Sequence, residues 1–134
     1  FLYLHHAIRT NEIFFVEKLL EKFSLSLINK IDPINKNSAL HVACTMANFD
    51  ILSLLNKYDL NWNLKNNLNQ TPFHILLRTS LFIPMNVQER ILDKKINIDL
   101  KDKMNISCRD IIKSFSYDKQ WLSYEENQRL LKII

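Results

Sequence analysis

His5, His41 and His74, with Cys44 and Cys108, are the residues of this chain most capable of chemistry. Three imidazoles converging on one point would suit a metal ion or a general base. These three do not converge: they stand 36 and 33 residues apart, each at the same place in an equivalent stretch, so a fold that stacks those stretches keeps them apart. The cysteines lie in different stretches and neither belongs to a Cys-x-x-Cys or Cys/His zinc pattern. Cys44 follows Ala43 on a packing face, so a buried free thiol is expected rather than a disulfide. No nucleophile–base pair or paired carboxylates stand out, and with no glycine in the chain a Gly-rich phosphate cradle is excluded. The expectation is a non-enzymatic protein with no catalytic residue, cofactor or metal.

The elements around the histidines explain the spacing. Asn61–Leu77 reads as a turn-rich connector feeding a helix. Thr71 supplies an N-cap oxygen and Pro72 suits the first helical position. Asn66, Asn67 and Asn69 tolerate the backbone of tight turns. Phe73, Leu76 and Leu77 share one helical face. The unit recurs: Thr71 aligns with Ser38 and Ser107 at offsets of 33 and 36 residues, and with Leu2 a further 36 earlier. A second apolar run follows each of the first three units, at Val16–Leu20, Ile51–Leu55 and Val87–Leu92. Two short helices per unit with a period near 33 define an all-α solenoid whose units cannot bury their apolar faces alone.

Thr71-Pro72-Phe73-His74 is close to the T-P-L-H signature of ankyrin repeats, and Ile51–Asn63 is similar to that family's second helix and following turn. The resemblance covers roughly residues 2–115. It implies helix–turn–helix units joined by β-hairpin-like loops, with repeats at about 1–37, 38–70, 71–106 and 107–117, and a C-terminal capping helix over 118–134, all in one domain. The chain departs from the family in lacking glycine. Asn11, Ala47 and Ser80 take the place between helices, and Lys36, Asn69 and Asn105 the place in the hairpins. Asn adopts φ > 0 readily, whereas Lys and Ser are strained there by about 1–3 kcal/mol.

Along the chain, helix 1 of the first repeat carries Leu4, Ala7 and Ile8, and helix 2 carries Phe14, Phe15, Val16, Leu19 and Leu20. Pro33 breaks any helix in the connector that follows. Leu40, Ala43, Ala47, Ile51, Leu52, Leu54 and Leu55 form the packing set of repeat 2. Ser80–Met85 interrupts repeat 3 with about three extra residues and Pro84; its Leu81, Phe82 and Ile83 either tuck over repeats 3 and 4 or form an exposed contact. In repeat 4, Arg109 and Asp110 replace the expected apolar residue and histidine. Trp121, Leu122, Leu130, Leu131, Ile133 and Ile134 suit the capping helix, and Ser123 with Glu126 reads as a capping box at its start.

Eighteen basic and fourteen acidic residues give +4 and are interleaved, as on a solvated helical surface rather than a nucleic-acid groove. No apolar run reaches the ~18 residues of a membrane span. Nothing resembles a signal peptide, and two separated cysteines suit a reducing intracellular compartment, cytoplasmic or nuclear, with that of a host cell as an alternative. A start at Phe1 rather than Met suits a piece of a longer chain. The expected partner is a protein, with no membrane, nucleic acid or small-molecule substrate.

The resemblance also implies roles. The repeated histidine would tie one repeat's turn to the next. Partners would lie on the concave face, where hairpin tips Ile34, Asn35, Asn67, Leu68, Gln70, Lys103, Met104 and Ile106 meet first-helix residues Thr45, Met46 and Arg78. Ile34, Met46, Leu68, Met104 and Ile106 form an apolar line that either meets a partner or tucks under the hairpins. Asn66–His74 is similar to a repeat of inhibitors that retain Rel-type transcription factors, which implies a viral or parasite decoy as an alternative. Asn63 stands where an Asn of this family is open to hydroxylation, and the chain could equally be a regulatory segment of a larger enzyme or effector.

Overall fold

The computed structural model describes residues 2–134, apart from the side chain of Leu27; Phe1, assigned above to the first repeat, lies outside them. Helices alternate along the chain between the first and second members of each repeat. The first helices are α1 (Tyr3–Arg9), α4 (Ala39–Met46), α6 (Pro72–Thr79) and α8 (Cys108–Ser114). The second helices are α2 (Ile13–Lys22), α5 (Phe49–Leu55) and α7 (Met85–Leu92). A one-turn helix α3 (Leu25–Ile28) opens the first connector, ahead of Pro33. First helices pack side by side in the order α1, α4, α6, α8, and α2 packs against α5, so the repeats form two layers. The Arg90 guanidinium ties α7 to the end of α5 by donating to the carbonyls of Asn56 and Tyr58.

The core is the set the periodicity marks. Ala7, Ile8, Leu40, Ala43, Ile51, Leu52, Leu55, Phe73, Leu76 and Leu77 are all buried. Ala43 sits in α4 between α1 and α6, where a small side chain lets three helices approach closely. Leu60, Trp62, Ile96 and Ile98, in the connectors after α5 and α7, are buried as well. Phe14 and Phe15 break the expectation: Phe14 is 73% exposed and Phe15 is exposed too. Helix α2 turns its Val16, Leu19 and Leu20 stripe inward, and at 100° per residue positions 14 and 15 fall off that stripe.

Among the described residues no named strand forms; one antiparallel bridge links Lys101 and Ser107. The connectors still close like hairpins, through Asp32 N–H to Asn37 O (2.9 Å), Asn66 N–H to Gln70 O (3.0 Å) and Asp102 N–H to Ile106 O (3.0 Å). Each hairpin bonds to the next, Asn67 N–H to Asn35 O at 2.9 Å and Lys103 N–H to Leu68 O at 3.1 Å. Lys36, Asn69 and Asn105 have φ of 62°, 55° and 62°, and Asn11 and Ala47 have 57° and 48°. Ser80 does not follow them. Its φ is −134°, because the chain leaves α6 into the extended Ser80–Pro84 segment instead of turning straight into α7. Lys94, at the end of α7, adds a left-handed residue (φ 59°) that the pattern did not flag.

The C-terminal end is two helices rather than one. A 3₁₀ turn (Phe115–Tyr117) leads into α9 (Lys119–Leu122), and α10 (Glu125–Ile133) follows. Asp118 caps α9 by accepting from the N–H groups of Gln120 and Trp121 at 3.0 and 3.2 Å. Ser123 caps nothing: its hydroxyl donates to Gln120 O (2.6 Å), and α10 starts without a side-chain cap. Trp121 and Leu130 are fully buried, and α10 packs on α7 and α8.

The Leu81–Ile83 segment is held by α10. Ile83 is fully buried and its N–H donates to Asn127 Oδ1 (3.0 Å), while Asn127 Nδ2 donates to the carbonyls of Leu81 and Trp121. Gln88 Nε2 adds bonds to Ile83 O and Glu126 O, both 2.9 Å. Phe82 packs between Phe49 and Tyr124, with centroids at 5.5 and 5.6 Å. Leu81 alone stays exposed, so the segment tucks against the stack.

Candidate functional site

Each hairpin is built around an Asx turn, in which a side-chain oxygen accepts the N–H two residues on. Asp32 Oδ1 accepts from Ile34 (2.8 Å), Asn66 Oδ1 from Leu68 (3.0 Å) and Asp102 Oδ1 from Met104 (2.9 Å). The second acceptor site of the turn is also used in two of them, by Gln70 N–H and Ile106 N–H at 3.0 Å. The position so fixed carries an apolar side chain in all three hairpins: Ile34 is 86% exposed, Leu68 53% and Met104 78%. Met46, at the end of α4, is 47% exposed.

The remaining predicted contact residues divide into free and committed ones. Asn67 and Lys103 are exposed, and their backbones join neighbouring hairpins. Asn35 is half-buried, its Oδ1 holding Asn37 N–H at 2.9 Å. Thr45 is exposed but its hydroxyl donates to His41 O (2.8 Å). Gln70 offers its carbonyl to His41, and its Oε1 accepts from Asn66 Nδ2 (3.2 Å). Arg78 is exposed and pairs with Asp102 at 3.1 Å. Ile106 corrects the apolar line. It is half-buried against the core, because it closes its hairpin next to α6.

Between α6, the Ser80–Leu81 turn and α8 lies an open cleft of about 680 Å³. Leu77, Ile111, Phe115 and Trp121 line it, with Arg78 and Asp110 also on its walls. The sequence marked Arg78 and Ile106 only as members of one expected face, and it gave no sign of the Trp121 wall, which depends on where α9 folds back.

The histidines perform a structural task. Ser38 N–H donates to His41 Nδ1 (3.0 Å) and Thr71 N–H to His74 Nδ1 (3.1 Å). Nδ1 is therefore an acceptor, and the proton sits on Nε2. Nε2–H donates to a carbonyl of the next hairpin: His5 to Asn37 O, His41 to Gln70 O and His74 to Ile106 O, at 2.9, 2.8 and 2.9 Å. Burial favours the neutral ring, lowering the pKa of His41 to about 4 and lowering those of His5 and His74 against the pull of the carbonyl bonds. Burial likewise pushes the thiols up, Cys108 to about 12, and both cysteines are free. At neutral pH the two buried thiols and the three bridging imidazoles of His5, His41 and His74 are therefore uncharged. Among the described residues no group of three or more His, Cys, Asp or Glu is placed to hold a metal.

A second ladder is made of asparagines. Asn61 N–H donates to Asn29 Oδ1 (3.1 Å), Asn97 N–H to Asn63 Oδ1 (2.8 Å) and Asn63 Nδ2 to Lys95 O (3.2 Å). Asn63 thus uses both ends of its amide to join two connectors.

Stacked helix pairs, joined by hairpins and tied by a repeated Ser/Thr-x-x-His cap, define a helical repeat solenoid. The family model for ankyrin repeats, in three copies, matches residues 4–102, and the chain belongs to that family. Such repeats are generally protein-interaction modules without enzymatic activity. No curated protein matches the chain. Among the described residues no helix is long and apolar enough to cross a membrane.

Proposed function

We propose that this chain is a non-enzymatic module that holds a partner protein along the face formed by its hairpin tips and first helices. The observation that carries this reading is the row Ile34, Leu68 and Met104, exposed apolar side chains fixed by Asx turns in three successive hairpins. Exposure there contributes nothing to the fold, and aligned apolar surface beside polar groups is what a protein contact uses. Met46 and the cleft beside Arg78 and Ile106 extend the same face. Free buried thiols at Cys44 and Cys108 support a reducing, intracellular setting.

The test is affinity capture with the parent and a Met46→Glu/Leu68→Glu/Met104→Glu variant whose helical circular dichroism is unchanged. A partner retained by the parent and lost by the variant is expected. If both retain the same proteins, the row is not the site. A narrower version, a decoy that retains Rel-type transcription factors, is supported by Asn66–His74; direct titration of a Rel-type DNA-binding region against the chain tests it, and no binding at micromolar concentration rejects it.

A further inference from the structure

We infer that the segment held along the hairpin tips is acidic: an extended stretch of protein whose carboxylates meet the tip lysines while apolar side chains cover Ile34, Leu68 and Met104. This rests on the preceding reading and specifies its partner.

Charge is segregated between the two sides of the stack. Of the chain's fourteen acidic residues, those in hairpins or first helices are Asp32, Asp99, Asp102 and Asp110, and each is committed. Asp32 and Asp102 hold the Asx turns, with Asp102 also paired to Arg78. Asp99 pairs with Arg109 at 2.7 Å, and Asp110 accepts the Ser107 N–H at 3.0 Å. The same hairpins expose Lys30, Lys36, Lys65, Lys101 and Lys103. None has a carboxylate within salt-bridge distance; Lys65 Nζ donates to Lys101 O at 3.2 Å. The other side differs. There Lys18 pairs with Glu21 and Arg90 with Asp59, and acidic residues match basic ones. The hairpins and first helices together carry nine basic against four acidic residues, the rest of the chain nine against ten, so the positive excess lies on this face, interleaved with the apolar row.

That combination selects a protein rather than a nucleic acid. Single strands are held by aromatic rings that stack on bases, and the exposed aromatic residues Tyr3, Phe14, Phe15, Tyr117 and Tyr124 all lie outside the hairpins. What the hairpins offer is apolar side chains, which an acidic peptide with apolar residues can cover and a phosphate backbone cannot. Spacing adds a constraint. Packed helices lie roughly 8–10 Å apart, so successive tips are about that far apart. Three residues of an extended polyproline-II-like chain advance about 9 Å and bring every third side chain to the same side. The fitting segment has an apolar residue about every third position and carboxylates between.

The experiment is selection of a random dodecapeptide library on phage against the 134-residue chain, followed by fluorescence anisotropy with synthetic versions of the enriched peptides. Acidic peptides bearing apolar residues are expected. Their affinity should fall roughly tenfold to a hundredfold on a Lys30→Glu/Lys65→Glu/Lys103→Glu variant, which loses three exposed attractions and gains repulsions. It should also weaken with added salt. Enrichment of neutral or basic peptides, no enrichment, equal binding to the charge-reversed variant, or stronger competition by a single-stranded oligonucleotide each overturns the inference. An Ile34→Ser/Leu68→Ser/Met104→Ser variant separates the two readings. Neutral peptides lost on this variant but held by the lysine variant leave the face standing and remove only its acidic partner. Peptides that bind the serine variant undiminished remove the face itself.

Discussion

Repeats 2 and 3 and the C-terminal end face one problem and solve it with different side chains. Every helix start leaves backbone N–H groups without intrahelical partners, and every connector buries carbonyls. In the middle of the stack a single buried imidazole serves both, taking the Ser38 or Thr71 N–H on one nitrogen and giving a proton to the next hairpin's carbonyl with the other. Repeat 4 keeps the local half of this device. Ser107 accepts from Asp110 N–H (3.1 Å) while Asp110 Oδ2 accepts from Ser107 N–H. After α8 comes a 3₁₀ turn, not another hairpin, so the hairpin carbonyl that His41 and His74 reach has no counterpart here, and a carboxylate suffices. The long-range work passes to Asn127, whose amide spans Leu81, Ile83 and Trp121. A ring fits a repeating gap; a carboxamide fits an irregular one.

Moving the residue of one region into the other tests the difference most directly. His41→Asp places a carboxylate at a fully buried position and abandons the Gln70 carbonyl. An uncompensated buried charge and a lost hydrogen bond should cost roughly 3–5 kcal/mol, read as a lower urea midpoint with unchanged m-value. A variant as stable as the parent would show that the imidazole bridge is dispensable.

Acid should act on the same bridges. Burial lowers the pKa of His41 from 6.5 to about 4, so between those values the unfolded chain binds more protons than the folded one. Stability is then complete above pH 6.5 and declines as pH falls towards 4. The gap amounts to about 3 kcal/mol for this residue, and His5 and His74 shift in the same direction. Below that range the carboxylates take over. Asp99 is held low by its bond to Arg109, and Asp102 stays low despite burial because Ile106 N–H, Arg78 and Met104 N–H bind its anion. Urea melts at successive pH values should show the decline beginning near the ordinary histidine pKa; a flat profile down to pH 4 would contradict the buried neutral rings.

How much of this was readable beforehand follows from the same contrast. The histidine period, the Ser/Thr caps and the paired apolar runs are local and repeated, so one unit explains the next. The hairpin tips were legible as positions, but whether Ile34, Leu68 and Met104 stay exposed or tuck under was not; the Asx turns of Asp32, Asn66 and Asp102 fix that. The C-terminal end repeats nothing. Ser123 and Glu126 have capping-box spacing, yet Asp118 is the residue that caps, because Trp121 must reach the core and pulls α9 back before α10 begins. Asn127 carried no local signal, since two of its three partners lie 44 and 46 residues away. Phe14 and Phe15 show the limit of composition, which marks residues as apolar without saying which side of a helix the neighbours occupy.

The Asn127 latch should prove weaker and more local than the histidine bridge. Asn127→Leu keeps the volume but leaves the buried Ile83 N–H and two carbonyls without their partner, at about 1–3 kcal/mol. Hydrogen exchange should accelerate in residues 80–84 and 118–134 while α4 and α6 keep their protection. Uniform acceleration across the chain would mean that the end is an integral part of the stack.

The reciprocal exchange, Asp110→His, should have the smallest effect of all. Asp110 is exposed, and its carboxylate sits below the ordinary range because the Ser107 N–H and hydroxyl donate to it. An imidazole at this place can still accept the Ser107 N–H through Nδ1, as His41 and His74 do for Ser38 and Thr71. Its Nε2–H then meets water, where it neither gains nor loses a buried bond. The melting temperature should move by no more than about 2 °C, against a collapse for His41→Asp at the equivalent place in repeat 2. A strong stabilisation by Asp110→His would reveal an unfilled acceptor beyond α8; a strong loss would mean that the Asp110 charge does more than cap its helix. Only a near-silent result agrees with an imidazole whose worth lies in the neighbour it reaches.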